Sequence, residues 1–260
     1  MRKVFLAIAS IALMSSPAAA KMVEQRIGYE IDGKKFEGVL VYDDGVKTKR
    51  PAVLMMPDWD GVSPKSVDQA KLVAGKRNVV FVADMFGVGY KPKDFKEKLE
   101  ASSAVHKDLA LTFARGSKAM EVFMAEGKKR GLIDPAKTAG IGFCAGGGLV
   151  LELARDGMDM KAVVVFHVTY PNPVDPARGN KINGRVLVLH GADDPVTPKK
   201  AIDALQDELT AAKVPWQTVM FSGAVHSFTD PEAKRGSSVY DEKLAKRSYA
   251  MMRDFFSESF

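Results

Sequence analysis

A chain of 260 residues, 46% hydrophobic and 27% charged, has ample material for a core, which excludes a disordered or fibrous polymer. Its formal net charge of +6 is spread along the sequence in short runs such as Lys128-Lys129-Arg130. That describes a mildly basic solvated surface, not a nucleic-acid-binding stripe, and a single cysteine excludes an intrachain disulfide framework.

The N-terminus reads as separate from the domain. Arg2 and Lys3 give a positive start, residues 4–14 are an apolar run too short to span a bilayer, and Ser15-Ser16-Pro17-Ala18-Ala19-Ala20 ends in small residues. This is the pattern of a signal peptide cleaved after Ala20. The expectation is an exported protein, periplasmic or secreted, with residues 21–260 forming one domain. Losing Arg2 and Lys3 takes the net charge from +6 to +4. No later stretch is long and apolar enough for a transmembrane helix.

Residues 26–29 and 36–42 alternate apolar and polar side chains around Asp32-Gly33, which predicts an antiparallel hairpin at a sheet edge. Ala52-Val53-Leu54-Met55-Met56 and Val79-Val80-Phe81-Val82-Ala83 are short continuous apolar runs, the signature of strands buried on both faces. Residues 57–62 form a loop between the first of them and a helix at 67–76. Residues 94–126 read as mostly helical, in two pieces broken near Gly116. Further strands are expected at 138–143, 161–166, 185–190 and 216–221, and further helices from 149, over 198–212 and over 241–255. Alternating buried strands and helices specify an α/β fold, with a mostly parallel sheet covered by helices on both faces. Ligands bind such sheets beyond the carboxyl ends of the strands.

One of those ends carries Ile141-Gly142-Phe143-Cys144-Ala145-Gly146-Gly147-Gly148. An apolar strand passes into a helix through a glycine-flanked turn with a single reactive side chain at its tip. That is the layout of a nucleophile elbow with cysteine in the nucleophile's place. Gly142 and Gly146 lack a Cβ, so neighbouring backbone can pass close to the turn. The thiol would sit at a helix N-terminus, where unpaired N–H groups and the dipole favour its anion. The competing reading is a buried structural cysteine, but a small hydrophobe has no need of a glycine on either side.

A cysteine nucleophile needs a base and a group to orient it. Four histidines are available: His106, His167, His190 and His226. His226 follows the last strand in Ser222-Gly223-Ala224-Val225-His226-Ser227-Phe228. His190 ends a strand just before Gly191-Ala192-Asp193-Asp194-Pro195-Val196. The order Cys144, an aspartate at 193 or 194, then His226 is the chain order of an α/β-hydrolase.

Together, Gly142-Phe143-Cys144-Ala145-Gly146, the 190–198 turn and Gly223-Ala224-Val225-His226-Ser227-Phe228 resemble the dienelactone hydrolase family, from about Phe36 to the C-terminus. The resemblance implies hydrolysis of a small-molecule ester or lactone by a Cys-Asp-His triad, with no metal or organic cofactor. Carried over, Cys144 is the nucleophile, His226 the base and Asp194 the acid, with Asp193 as fallback. The oxyanion donors would be the N–H groups of Ala145 and Trp59. Asp58 stands where the family has a longer glutamate near the thiol. The family's carboxylate-binding arginines are replaced by Val88 and Asp230, which disfavours the founding substrate. Phe86, Tyr90 and Trp59 suggest a partly aromatic pocket for an apolar acyl or aryl group. His190 is expected beneath the site, His106 on a helix face, and His167 at a strand end where it can line the pocket. Two rival readings are a non-catalytic binding protein on a hydrolase scaffold and a redox-sensing thiol, the latter weakened by the absence of a resolving cysteine.

Overall fold

The computed structural model describes residues 21–175 and 177–260. The expected signal peptide, residues 1–20, lies outside the described residues. Among the described residues ten strands and six helices follow one another: β1 (Met22–Ile31), β2 (Lys34–Asp43), β3 (Arg50–Met56), α1 (Pro64–Ala74), β4 (Val79–Val82), α2 (Phe95–Lys107), α3 (Leu109–Lys129), β5 (Ile133–Phe143), α4 (Ala145–Arg155), β6 (Ala162–Phe166), β7 (Arg185–Gly191), α5 (Lys199–Ala211), β8 (Trp216–Phe221), β9 (Lys234–Arg235), β10 (Ser238–Val239) and α6 (Glu242–Ser259).

Eight strands form one sheet in the order β1-β2-β4-β3-β5-β6-β7-β8. The pairs β1/β2 and β2/β4 are antiparallel, and every pair from β4/β3 to β7/β8 is parallel. The two-residue turn of the first hairpin has φ 48° at Asp32 and 77° at Gly33, the double positive φ that tight hairpins require. In the central strands alternate residues feed opposite cores. Ala52, Leu54 and Met56 face a cluster with Phe123, Leu149, Ile202 and Leu205, whereas Val53 and Met55 face one with Val67, Tyr249 and Phe255. Thus α1 and α6 cover one face, and α2 to α5 the other. This is the predicted architecture. Among the described residues no helix is long and apolar enough to cross a membrane.

Three local expectations need correction. The break in the 94–126 region falls at Asp108, not near Gly116. Asp108 ends α2, and its carboxylate caps α3 by accepting from the Leu111 N–H at 2.9 Å. Gly116 instead lets α3 approach α4, since a Cβ there would lie 2.5 Å from the Leu153 side chain. The fifth strand starts earlier than expected, because Arg50 and Pro51 pair with Ile133 and Asp134 across a register shift. The β9/β10 ribbon has no counterpart in the sequence reading; two-residue strands leave no hydrophobic pattern.

The elbow depends on backbone contact. A Cβ on Gly142 would stand 2.2 Å from the Gly146 carbonyl oxygen, and one on Gly146 would stand 2.1 Å from the Met56 oxygen and 2.3 Å from the Pro57 oxygen. The glycines therefore let the start of α4 press on the end of β3 and its following loop. Gly146→Ala is expected to destabilise the protein by about 1–3 kcal/mol, a fall in Tm of roughly 3–10 °C by calorimetry. An unchanged Tm would show that the loop after β3 yields freely.

Candidate active site

Cys144 has φ 51° and ψ −121°, a conformation that non-glycine residues adopt only when the surroundings impose it. Its amide donates to the Phe166 carbonyl (3.1 Å), and its own carbonyl accepts from Gly147 and Thr169. These bonds hold the residue at the start of α4 with its sulfur turned towards a cavity of about 470 Å³.

Three side chains separated in sequence meet there. The His226 Nε2 lies 3.1 Å from the Cys144 Sγ, and the His226 Nδ1 lies 2.7 Å from the Asp194 Oδ2. The second Asp194 oxygen accepts from the Val196 and Thr197 amides at 2.8 and 3.0 Å, which fixes the carboxylate plane. Asp193, the fallback, is exposed and is held only through its backbone, which donates to the Ala224 carbonyl. His226 is positioned by the small ribbon: its amide donates to the Ser237 carbonyl, and its carbonyl accepts from Val239.

Electrostatics favour a charged imidazole. Burial alone would lower the His226 pKa, but its hydrogen bonds to Asp194 and Cys144, and the attraction of their charges, outweigh burial and push it up to about 10. Asp194 responds in the opposite sense: burial raises its pKa, the His226 contact exceeds that, and the carboxyl is held below its usual range. Beneath the pair, burial and the neighbouring His226 charge keep His167 neutral, with its pKa well below the ordinary histidine value.

The other histidines are structural. His190 is fully buried, as expected beneath the site, and its Nε2–H donates to the Thr197 carbonyl at 2.9 Å. His167 does not line the cavity. Its ring stands edge-on to that of His226 at 5.2 Å, and its Nε2 bonds the Thr229 hydroxyl at 2.8 Å. His106 sits on α2 as predicted and reaches the Ala145 carbonyl through Nε2 at 2.9 Å, which ties α2 to the elbow.

Trp59 and Ala145 both border the cavity. Ala145 opens α4, so its N–H has no partner within the helix. Among the described residues the Trp59 N–H has no backbone acceptor. Asp58 is buried and is turned to Lys65 at 2.7 Å, while its other oxygen accepts from the Asp60 amide at 3.0 Å. Its carboxylate is thus committed to the loop and not to the sulfur.

The aromatic lining differs from expectation. Trp59, Phe95 and Tyr170 border the cavity, with Leu99 and Val196 at its exposed rim. Phe86 is buried, and Tyr90 stands behind Trp59 and donates to its carbonyl at 2.8 Å. Val88 is solvent-exposed at a different cavity, so only Asp230 of the two replaced positions reaches the site.

Sequence reasoning missed two residues here. Thr169 places its hydroxyl 3.5 Å from both the sulfur and the His226 Nε2, from a loop with no motif. Lys65 carries its ammonium into a cluster of aspartates at the cavity wall. The crowding of Asp58, Asp60 and Asp230 around one site is the signal that calls for a cation.

A parallel sheet with an antiparallel N-terminal pair, and a cysteine at a strained elbow facing a histidine–aspartate pair, define an α/β-hydrolase. The profile of the dienelactone hydrolase family matches residues 36–260, and the chain belongs to that family. The solved structure "m3DLH" is 33% identical, with a TM-score of 0.85 over 92% of this chain and 99% of its own. A dienelactone hydrolase-like promiscuous phosphotriesterase, P91, from metagenomic libraries is 32% identical, with a TM-score of 0.84 over 92% of this chain and 99% of its own. A Saccharolobus solfataricus protein named "Putative carboxymethylenebutenolidase" is 29% identical over 142 residues, 53% of this chain and 48% of that relative. The match therefore spans about half of that relative's length.

A pKa raised in the folded state ties stability to protonation. The contribution of the His226 charge is fully present below about pH 6.5, the unfolded value, and is lost as the pH rises through about 10. NMR titration should place the His226 midpoint near 10, and Cys144→Ser should lower it. A midpoint near 6.5 in the unaltered protein would contradict the ion-pair geometry.

Proposed function

We propose that this protein hydrolyses an uncomplicated small ester, lactone or thioester with an apolar acyl or aryl group, through a covalent acyl-cysteine. One observation carries the reading: the Sγ–Nε2 and Nδ1–Oδ2 contacts of 3.1 and 2.7 Å form an unbroken relay at the floor of an apolar-rimmed cavity.

His226 takes the Cys144 proton on Nε2, while Asp194 holds the ring through Nδ1–H and stabilises its positive charge. The sulfur attacks the carbonyl carbon, and the Trp59 and Ala145 amides receive the charge that develops on oxygen. Collapse of the tetrahedral species expels the alcohol, which takes its proton from His226. Water then gives a proton to His226 and attacks the thioester, which releases the acid and restores the thiol. Strain at Cys144 keeps the sulfur exposed to the carbonyl, and Trp59, Phe95 and Leu99 supply apolar surface for the acyl or aryl group. Membership of a hydrolase family supports the reaction class.

The likeness to P91 favours a second substrate class. Aryl phosphotriesters present a phosphoryl oxygen that the same two amides would meet, so they belong beside aryl esters in a first panel. We further propose export, on the strength of Arg2, Lys3, the 4–14 apolar run and the Ala18-Ala19-Ala20 end. Intact mass of protein from the cell envelope should correspond to a chain starting at Lys21; a chain retaining Met1 would contradict this.

Cys144→Ala is expected to reduce kcat for an activated aryl ester such as 4-nitrophenyl butyrate by at least 10³-fold with the fold intact by circular dichroism. Turnover near the unaltered rate would overturn the assignment.

A further inference from the structure

Lys65 occupies the second position of α1, just after Pro64, and its side chain is only 12% exposed. Its ammonium lies 2.7 Å from the Asp58 carboxylate, 2.7 Å from that of Asp60 and 3.1 Å from that of Asp230. An ammonium has three N–H groups, so each can be directed at one carboxylate. Two of these aspartates flank Trp59. Asp58 also closes a tight turn by accepting from the Asp60 amide, and the Gly61 amide donates to the Asp58 carbonyl. The third aspartate follows His226 by four residues and borders the same cavity. A single cation therefore joins the loop that carries the Trp59 amide to the loop that carries the imidazole.

We propose that Lys65 is a positioning residue: it holds the Trp59 N–H in register with the sulfur by bracing the 58–60 loop against the histidine loop. The proposal rests on the oxyanion role given to Trp59 above. The brace fits the other constraints on that loop. The Tyr90 hydroxyl holds the Trp59 carbonyl from behind, and Phe95 meets the indole edge-on at 5.2 Å. Neither contact reaches the histidine side of the cavity. Lys98 pairs with Asp60 at 2.5 Å and so contributes to the same loop, but among the described residues it does not pair with Asp230. Without Lys65, three carboxylates would face one another in a largely buried space, and the loop would have to open to hydrate them.

A second consequence concerns charge. Asp58, Asp60, Asp230 and the neighbouring Glu232 border the cavity against Lys65, with Lys98 paired to Asp60, so the wall stays acidic even though burial raises the Asp58 pKa. Lys65 is spent on its own aspartates and is not free to bind an anionic acyl group. The pocket therefore selects uncharged acyl groups over carboxylate-bearing ones.

The test uses Lys65→Met and Lys65→Arg in the full-length protein. Lys65→Met should lower kcat for 4-nitrophenyl butyrate by about 10²-fold, the loss typical of one oxyanion donor, with KM changed less than threefold. Alkylation of Cys144 by iodoacetamide should stay within twofold, because the Cys144–His226–Asp194 contacts do not involve Lys65. Alkylation by iodoacetate should slow at least tenfold, since the aspartates are left bare. Lys65→Arg, whose fork can still span two carboxylates, should recover at least tenfold of the lost kcat. In a Trp216→Phe background, which leaves Trp59 as the sole tryptophan, Lys65→Met should raise acrylamide quenching at least twofold. Unchanged quenching, or an equal loss of kcat and iodoacetamide reactivity, would overturn the proposal. If Lys65→Met does not fold, Asp60→Asn should give a smaller fall in kcat, about fivefold, at constant KM, and an unchanged kcat would overturn the proposal there too. If the unaltered protein cleaves no ester, the hydrolytic reading fails, while the quenching and alkylation results still decide the role of Lys65.

Discussion

The close passage of Gly146 over the carbonyls of Met56 and Pro57 is the constraint on which the site depends. It brings the start of α4 against the end of β3, and so sets Cys144 and the Trp59 loop on opposite sides of one small space. A side chain larger than hydrogen at position 146 would separate them. The positive φ of Cys144 follows from the same geometry, because the chain must reverse within one residue to leave β5 and enter α4. The strain is supported by backbone hydrogen bonds to β6 and its following loop, so the parallel sheet itself holds the thiol in place.

Charge completes what packing begins. On one side of the sulfur, the imidazole is held by a carboxylate whose second oxygen is anchored by two amides, leaving little freedom to rotate away. On the other, Lys65 gathers three aspartates and ties the two flanking loops together. Both clusters are largely buried, where removal of one partner leaves charge with no water to receive it. The cavity between them is apolar at its rim through Phe95, Leu99 and Val196. This division fits a substrate that presents a polar carbonyl at the floor and a hydrophobic group towards the opening.

Much of the fold was legible because buried parallel strands are written as continuous apolar runs. Ala52 to Met56 and Val79 to Val82 could be read almost to the residue. Chain order and strand ends place Cys144, an aspartate at 193 or 194 and His226 at one edge, and the family resemblance singles out Asp194, the aspartate that meets His226. What stayed hidden lacked a periodic signal. The break at Asp108 shows only in its cap on α3, and Gly116 resembles a break in sequence because helix-to-helix contact leaves no mark in one sequence. Thr169 lies in a loop with no motif. Lys65 lies between the expected loop at 57–62 and the expected helix at 67–76, and only the fold brings Asp230 to Asp58 and Asp60, so the need for a counter-ion leaves no mark in the sequence. Of the expected pocket aromatics Trp59 borders the cavity and Phe86 and Tyr90 do not, while Phe95 and Tyr170 arrive from elements whose facing cannot be read from composition.

The most direct test of the account is intact-protein mass spectrometry, with peptide mapping, of a His226→Ala variant mixed with an activated aryl ester. In the proposed mechanism the imidazole activates both the thiol and the water, so its loss slows both steps; a thiolate formed by bulk base still attacks an activated aryl ester far faster than unaided water attacks the resulting thioester, and the acyl-enzyme should accumulate. The expected result is a mass increase of one acyl group, located on Cys144 and released by hydroxylamine. Turnover of the ester by the unaltered protein with no adduct on Cys144 in the variant, or with the acyl group on another residue, would contradict it.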